Sequence, residues 1–179
     1  MKIIIILFIS IQLFSSSLNN YQIQVLKRIY ELATDFPNKY GETYEKTLCM
    51  IAMQESSLGL NKIGDISKRK SILKGSYGIF QFQLNTVREL SRKYKQLKWL
   101  QHKTDSWIIN KLVRSDDFSI VCAVFNMKRI SESKIAQRNW RRMITMWNGM
   151  PNGKITKYVN RVLRWKTLIY RTLKTKGLK

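Results

Sequence analysis

Apolar residues recur at helical spacing along most of this 179-residue chain, with polar residues between them. An early stretch carries the pattern at Tyr44, Leu48 and Ile51. Later stretches carry it at Val87, Leu90, Tyr94 and Leu97; at Phe118, Val121, Cys122 and Phe125; at Trp140, Met143, Ile144 and Trp147; and at Ile155, Val159, Val162 and Ile169. This periodicity predicts an all-α or mainly α fold.

Polar residues and glycine mark where the four later helices should start and stop. Asn85 or Thr86 is expected to cap the first of them, and Ser115 the second. Gly149 is expected to end the third, and the turn at residues 151–153 to precede the last. Strand signals are few. A short irregular extended segment is expected near residues 75–83.

Glu55 breaks the apolar pattern of the first stretch, because it lies on the same helical face as Leu48 and Ile51. A carboxyl group on a core-facing surface loses hydration, and this loss favours the protonated form that a general acid needs. The alternative is that Glu55 lies in the last turn of its helix, with Gly59 as the C-cap, and points to water. Helical spacing alone leaves both interpretations open.

Composition favours one domain behind an export signal. A 44% hydrophobic content over 179 residues is enough for a single core, and no linker-like segment divides the chain. Residues 1–17 combine Lys2, an apolar run and three consecutive serines at positions 15–17, as in a secretory signal peptide. An uncleaved anchor is the alternative. We therefore predict a signal at residues 1–17, a single domain at residues 18–179 with a basic C-terminal helix, and a periplasmic or secreted location.

The formal net charge of +22 is distributed unevenly. Residues 18–60 carry a net charge of −1, whereas the residues after position 60 carry +22 and Lys2 supplies the rest. No acidic residue follows Glu132. Such a charge attracts polyanions, so the partner could be nucleic acid, an anionic membrane or an anionic cell-wall polymer. The alternative is a solvated surface that only keeps the protein soluble.

The remaining candidate residues favour structural roles. Cys49 and Cys122 could form a bridge between helices or remain buried free thiols, and they make no metal-ligand pattern. His102 lies in a segment that is typical of a surface loop, and no cysteine or second histidine accompanies it. We therefore expect neither a metal nor a cofactor. The methionines expected to fill gaps in the core are Met50, Met53, Met143, Met146 and Met150.

Four short motifs follow one another along the chain. Their residues are Glu55-Ser56-Ser57, Gly78-Ile79-Phe80-Gln81, Trp147-Asn148-Gly149 and Tyr158-Val159-Asn160-Arg161-Val162-Leu163. In this order they resemble the motifs of the lytic transglycosylase (SLT) domain, a lysozyme-like fold that cleaves peptidoglycan. In that family a Glu-Ser pair ends the catalytic helix, a Gly-Leu-Met-Gln turn follows, and an Ala-Tyr-Asn-x-Gly segment precedes a helix with Tyr-Val. The resemblance extends over about residues 40–165.

The resemblance implies a lysozyme-like helical globule and a carbon-oxygen lyase. The enzyme would cleave the β-1,4 bond between N-acetylmuramic acid and N-acetylglucosamine and leave 1,6-anhydromuramyl ends. Glu55 would act first as general acid and then as base. Gln81 and Asn148 would bind substrate, and Tyr158 would place its hydroxyl close to Glu55.

Four further residues within or beside these motifs are expected to contact substrate or to support the site. Ser76 and Tyr77, directly before the turn, are expected to contact substrate, although Ser71 is an alternative to Ser76 as the substrate-contacting serine. Ser56 and Gly78 are expected to be structural, with Gly78 letting the backbone approach the sugar chain closely.

The sequence offers no convincing second catalytic carboxyl group. Asp65 lies in a basic insertion, and Asp116 and Asp117 suit the first turn of a helix. Glu89 falls on the outward face of its helix. Ordinary glycosidases need two carboxyl groups, whereas the resembled family uses one, assisted by the 2-acetamido group of the sugar.

The sequence also departs from the family pattern. The basic stretch Lys62–Lys74 makes the interval between the first two motifs long, and Phe80 replaces the usual methionine. Two other functions therefore stay open: a hydrolytic muramidase of the same fold, and a nonenzymatic basic module that binds polyanions. The partners expected for the leading interpretation are peptidoglycan strands, with an anionic wall polymer or a secretion or conjugation machine as further candidates. We expect a monomer and no specific nucleic acid.

Overall fold

The computed structural model describes residues 17–64, 72–136, 139–150 and 157–178. Its α-helices are α1 (Asn20–Thr34), α2 (Glu45–Ser56), α3 (Leu84–Lys93), α4 (Asp105–Arg114), α5 (Asp116–Ser131), α6 (Trp140–Trp147), α7 (Lys157–Leu163) and α8 (Lys166–Thr175). Two 3₁₀ helices cover Ile72–Lys74 and Lys95–His102. The prediction of a mainly α fold is confirmed.

Helix α5 lies at the centre of the molecule because it is apolar on nearly every side. It packs against α1, α2, α3, α4 and α6, and even its Ser119 and Asn126 are buried. The buried apolar residues of the described segments form one cluster around it. Helix α2 is buried along most of its length, whereas α1, α3, α4, α6 and α8 are amphipathic and turn one face toward this cluster.

The start of α5 agrees with the sequence prediction, whereas the start of α3 does not. The hydroxyl of Ser115 accepts a hydrogen bond from the backbone N–H of Phe118 at 3.3 Å, so Ser115 caps α5. Helix α3 begins at Leu84, after an extended Gln83, and not at Asn85 or Thr86. Leu84 is buried, so packing of the first turn extends the helix beyond the better capping residues.

The predicted last helix consists of two helices. Helix α7 ends at Leu163 and α8 begins at Lys166, with a turn at Arg164 and Trp165 between them. The backbone N–H of Trp165 bonds the carbonyl of Val162, which is the tighter 3₁₀ spacing. Ile155 and the predicted turn at residues 151–153 lie outside the described residues.

The extended segment predicted near residues 75–83 contains a minimal sheet. Strand β1 (Ile63–Gly64) pairs antiparallel with β2 (Ser76–Tyr77), with Ile63 opposite Tyr77 and Gly64 opposite Ser76. A further bridge joins Tyr77 to Phe82. Residues 78–81 form the turn between the two halves of that bridge.

The solvent exposure of the methionines agrees with the prediction for three of the five and contradicts it for two. Met50, Met53 and Met143 are buried as predicted, whereas Met150 is exposed. Met146, also predicted to lie in the core, is only partly buried and packs against the edge of the core. Met146 follows the buried residues 143–145 of α6, and Met150 lies beyond the end of that helix. Both positions therefore lie at the edge of the core. The only histidine, His102, is exposed at the end of a 3₁₀ helix.

Helices of the described segments are too short or too polar for any of them to span a lipid bilayer. The predicted signal falls almost wholly on residues 1–16, which lie outside the described residues.

Both cysteines are free and buried, so the predicted alternative of a bridge between Cys49 and Cys122 is wrong. Burial raises the pKa of the Cys122 thiol to about 12 and raises the pKa of Cys49 well above its usual value. Each thiol is therefore neutral at physiological pH, and a neutral thiol is a poor nucleophile.

We expect both thiols of the folded protein to resist a thiol-specific reagent such as dithionitrobenzoate at pH 8. Both should react once the protein is unfolded in guanidinium, without any reductant. Rapid labelling of the folded protein would contradict the burial, and labelling that requires a reductant would reveal a bridge.

Candidate active site

Glu55 lies in the last turn of α2 and lines a cleft of about 560 Å³. The helix ends one residue later, and Ser57 caps it in the left-handed conformation. Gly59, expected as the C-cap, follows two residues further on with its own positive φ. Because the chain turns away directly after Glu55, its half-buried side chain faces the cleft and not open solvent.

Tyr158 of α7 donates a hydrogen bond from its hydroxyl to Oε1 of Glu55. Only 4% of Tyr158 is exposed. Burial, followed by the nearby Glu55 carboxylate, raises the pKa of this phenol far above its ordinary value. The hydroxyl therefore stays protonated at neutral pH and can orient the Glu55 carboxyl group as a permanent donor. The sequence prediction that places Tyr158 beside Glu55 agrees with this geometry.

Gln54 ties α2 to the turn between α7 and α8. Its Oε1 accepts hydrogen bonds from the indole Nε1 of Trp165 at 3.3 Å and from Arg164 at 3.5 Å. These contacts lie one residue from Glu55 and a short distance along the chain from Tyr158. They hold the turn between the two C-terminal helices against α2.

Ser56 connects the end of α2 to the turn that contains the second motif. Its hydroxyl donates to the carbonyl of Ile79 at 2.6 Å and accepts from the N–H of Gly59 at 2.8 Å. The N–H of Ile79 in turn donates to the hydroxyl of Ser119 in α5 at 3.0 Å. Two buried serines thus satisfy both backbone groups of Ile79, so the turn has a fixed position beside Glu55.

Gln81 ends this turn and lines the cleft. Its φ of +50° is in the left-handed region, which is uncommon for a residue with a side chain. The side-chain Nε2 donates to the carbonyls of Gly78 at 2.9 Å and Asn61 at 3.1 Å. A methyl group on Gly64 would lie only 2.1 Å from Oε1 of Gln81, so any side chain there would displace the Gln81 amide. The amide is thus held in place at the cleft wall.

Gly78 is structural, but for a different reason from the one predicted. Its φ is +78°, and a Cβ atom would lie 2.6 Å from the Ser119 hydroxyl and 2.7 Å from the carbonyl of Leu112. The glycine therefore lets the turn pack against α4 and α5. It does not line the cleft, so the expected approach to a sugar chain is not its role.

Ser76 and Tyr77 take different positions. Ser76 lines the cleft, although little of it is exposed. Tyr77 is 1% exposed, and its hydroxyl donates to the carbonyl of Ile72. Tyr77 thus supports the loop from inside and does not line the cleft, which removes the basis for its predicted substrate contact. Ser71 lies outside the described residues.

The third motif also lines the cleft. Asn148 caps the end of α6 with its backbone N–H, and its exposed side chain lines the cleft. Trp147 packs its ring 5.7 Å from that of Phe80 and 5.6 Å from that of Phe82. Phe80 and Phe82 are buried, so the partly buried Trp147 supplies the aromatic surface beside Asn148 on which the apolar face of a sugar ring can stack.

Several residues that line the cleft lie outside the four motifs, and the sequence did not identify them as site residues. They are Phe82, Gln83, Thr86, Asn126, Arg129 and Met146. The i, i+3 spacing of Asn126 and Arg129 was visible in the sequence, but α5 is so apolar that its polar positions gave no distinct face. Arg129 is the most consequential omission, because it brings a charge to the cleft.

Glu55 supplies the only carboxyl group among the described residues that line the cleft. The exposed Glu89 forms an ion pair with Arg129 at 3.6 Å, consistent with its predicted outward face. Asp116 and Asp117 lie in the first turn of α5 and pair with Lys62 and Arg28. The described residues contain no group of His, Cys, Asp and Glu that could hold a metal ion.

The fold and the site together define a mainly α protein with a carboxyl and tyrosine pair in a polar, aromatic-walled cleft. Comparisons of the chain with models of protein families, with curated proteins and with solved structures found no match. The arrangement of the site residues therefore carries the functional argument.

We expect Ser56→Ala to lower the free energy of unfolding by about 1–3 kcal/mol, because the variant leaves buried backbone groups of Ile79 and Gly59 without their partner. Urea titration followed by circular dichroism measures this change. Thr34→Ala is the control, since it removes an exposed hydroxyl that bonds only within the last turn of α1. Equal stability of the two variants would contradict the bridging role of Ser56.

Proposed function

We propose that this protein is a peptidoglycan lytic transglycosylase with Glu55 as its catalytic residue. The observation that carries the proposal is the hydrogen bond between Tyr158 and Glu55 at the cleft. Tyr158 and Glu55 belong to motifs at opposite ends of the resembling region. Gln81 and Asn148, from the two intervening motifs, line the same cleft. This convergence is what a shared catalytic site requires.

The chemistry follows from the single carboxyl group of the cleft. Protonated Glu55 gives its proton to the oxygen of the bond between N-acetylmuramic acid and N-acetylglucosamine. The 2-acetamido group of the sugar stabilises the positive centre, and the Glu55 carboxylate then removes a proton from the C6 hydroxyl. The new bond from O6 to C1 closes the 1,6-anhydro ring, so no water is consumed.

The surrounding residues support each step of this proposal. The Tyr158 hydroxyl orients the carboxyl group and stabilises its charge after the first proton transfer. Gln81 offers its amide oxygen to sugar hydroxyls, because its Nε2 already donates to two backbone carbonyls, and Asn148 offers its amide group. The Trp147 ring, backed by the buried rings of Phe80 and Phe82, forms a firm surface beside them. A substrate of this kind lies outside the cytoplasm, in agreement with the predicted export signal.

Digestion of purified peptidoglycan, followed by mass spectrometry, tests the reaction. We expect anhydromuramyl ends, which are one water lighter than hydrated ends. Glu55→Gln keeps the shape of the side chain but cannot supply the proton, and should lower the rate by about 10²–10⁴-fold. Glu31→Gln, an exposed change on α1, serves as the matched control.

Each other outcome identifies a different function. Hydrated reducing ends would replace the proposal with a hydrolytic muramidase. Tight, salt-sensitive binding of polyanions without any product would favour the nonenzymatic basic module. Full activity of Glu55→Gln would remove Glu55 from the mechanism.

We expect Tyr158→Phe to lower kcat by about 10- to 100-fold, since a hydrogen bond to a charged group contributes about 1.5–3 kcal/mol. The alkaline side of the pH-rate profile, where the general acid loses its proton, should also move to higher pH, because the carboxylate loses a donor that stabilises its charge. Tyr170→Phe on α8, which is exposed, is the control. An unchanged profile in Tyr158→Phe would contradict the role of the phenol.

A further inference from the structure

The cleft that Glu55 lines borders a second cavity. This second cavity has a volume of about 510 Å³ and shares Arg129, Met146 and Gly149 with the first. Its other lining residues are Lys93, Ile130, Glu132 and Ser133. A branched ligand seated along the first cleft could therefore extend one branch over Arg129.

Arg129 is held in place at this junction. Its Nε and Nη2 donate to Oδ1 of Asn126 at 3.2 and 2.9 Å. Asn126 is 4% exposed and projects from the same helix one turn earlier, so it fixes the plane of the guanidinium group. The Arg129 side chain itself is 36% exposed. A guanidinium that is anchored on one edge and accessible on another is suited to bind an anion.

The acidic neighbours of Arg129 leave room for such a ligand. Glu89 lies 3.6 Å from Nη1, an ion pair that is longer than a hydrogen bond, and the Glu89 side chain is 54% exposed. Exposed pairs of this kind contribute little and exchange readily. Glu132 also lines the second cavity, but one of its oxygens accepts a hydrogen bond from the backbone N–H of Lys39. Lys93 adds a second cation to the cavity.

The shape and the charge together favour a carboxylate. A carboxylate matches the paired N–H groups of a guanidinium in one plane, whereas a sugar hydroxyl engages only one of them. In the substrate of the proposed function, each muramyl unit carries a peptide branch that ends in carboxylates. We infer that Arg129 binds a carboxylate of this peptide branch and makes the protein prefer peptide-bearing strands, an inference that rests on the proposed function.

The test compares cleavage of intact glycan strands with cleavage of strands from which an amidase has removed the peptides. A third substrate has the same peptides with their carboxylates amidated. We expect the unmodified protein to favour the intact strands by about 10-fold in kcat/KM, which is the ratio that about 1.4 kcal/mol of binding provides. Amidation should abolish most of this preference.

Arg129→Gln should raise KM for intact strands by about 10-fold with little change in kcat, and should affect denuded strands by less than about 3-fold. Arg129→Lys should recover part of the preference, because it keeps the charge but loses the planar pair of donors. Arg92→Gln, an exposed arginine of α3 outside both cavities, is the control. Urea titration of each variant checks that the fold is intact.

The possible results separate this inference from the proposed function. Cleavage of all three substrates at equal rates, or an equal loss for Arg129→Gln on each, overturns the inference and leaves the transglycosylase proposal standing. If no strand is cleaved, calorimetric binding of the intact and denuded strands to the protein decides the matter. Preferential binding that is lost in Arg129→Gln supports the inference even then, and absence of binding overturns it.

Discussion

The site depends on the backbone of a single residue, Ile79. Its carbonyl accepts from the hydroxyl of Ser56 in α2, and its N–H donates to the hydroxyl of Ser119 in α5. All these groups are buried, so each would be costly to leave without a partner. The turn that carries Gln81 is thus positioned by the two helices that also bound the core. Gly78 permits this arrangement, because any side chain there would collide with α4 and α5.

Much of this structure could be predicted from the sequence where local signals were strong. The helical spacing of apolar residues predicted the helices that contain Leu48, Phe118 and Met143, and Ser115 predicted the start of α5. Glu55 was recognisable as a polar residue in an apolar pattern. The contacts of Ser119 and Arg129 were not recognisable, because they depend on which segments pack against α5, and periodicity within one helix carries no such information.

The errors have a common physical origin in tertiary contacts that override local preference. Helix α3 starts before its best capping residues because Leu84 is buried. The last predicted helix breaks at Trp165, whose indole bonds Gln54 of a distant helix. Tyr77 has the aromatic ring and hydroxyl typical of a substrate contact, yet its hydroxyl donates a hydrogen bond to the carbonyl of Ile72. Each of the two hydrogen bonds forms only in the folded chain, although Ile72 lies just five residues from Tyr77 whereas Gln54 is distant from Trp165.

The acid and its orienting phenol are 103 positions apart along the chain. The pair cannot exist until the C-terminal segment has docked onto the end of α2, an event that Trp165 and Gln54 help to complete. A nascent chain, or one that is threaded unfolded through a channel, therefore carries both halves of the pair but no assembled centre. Folding itself sets the moment at which the proposed centre is assembled.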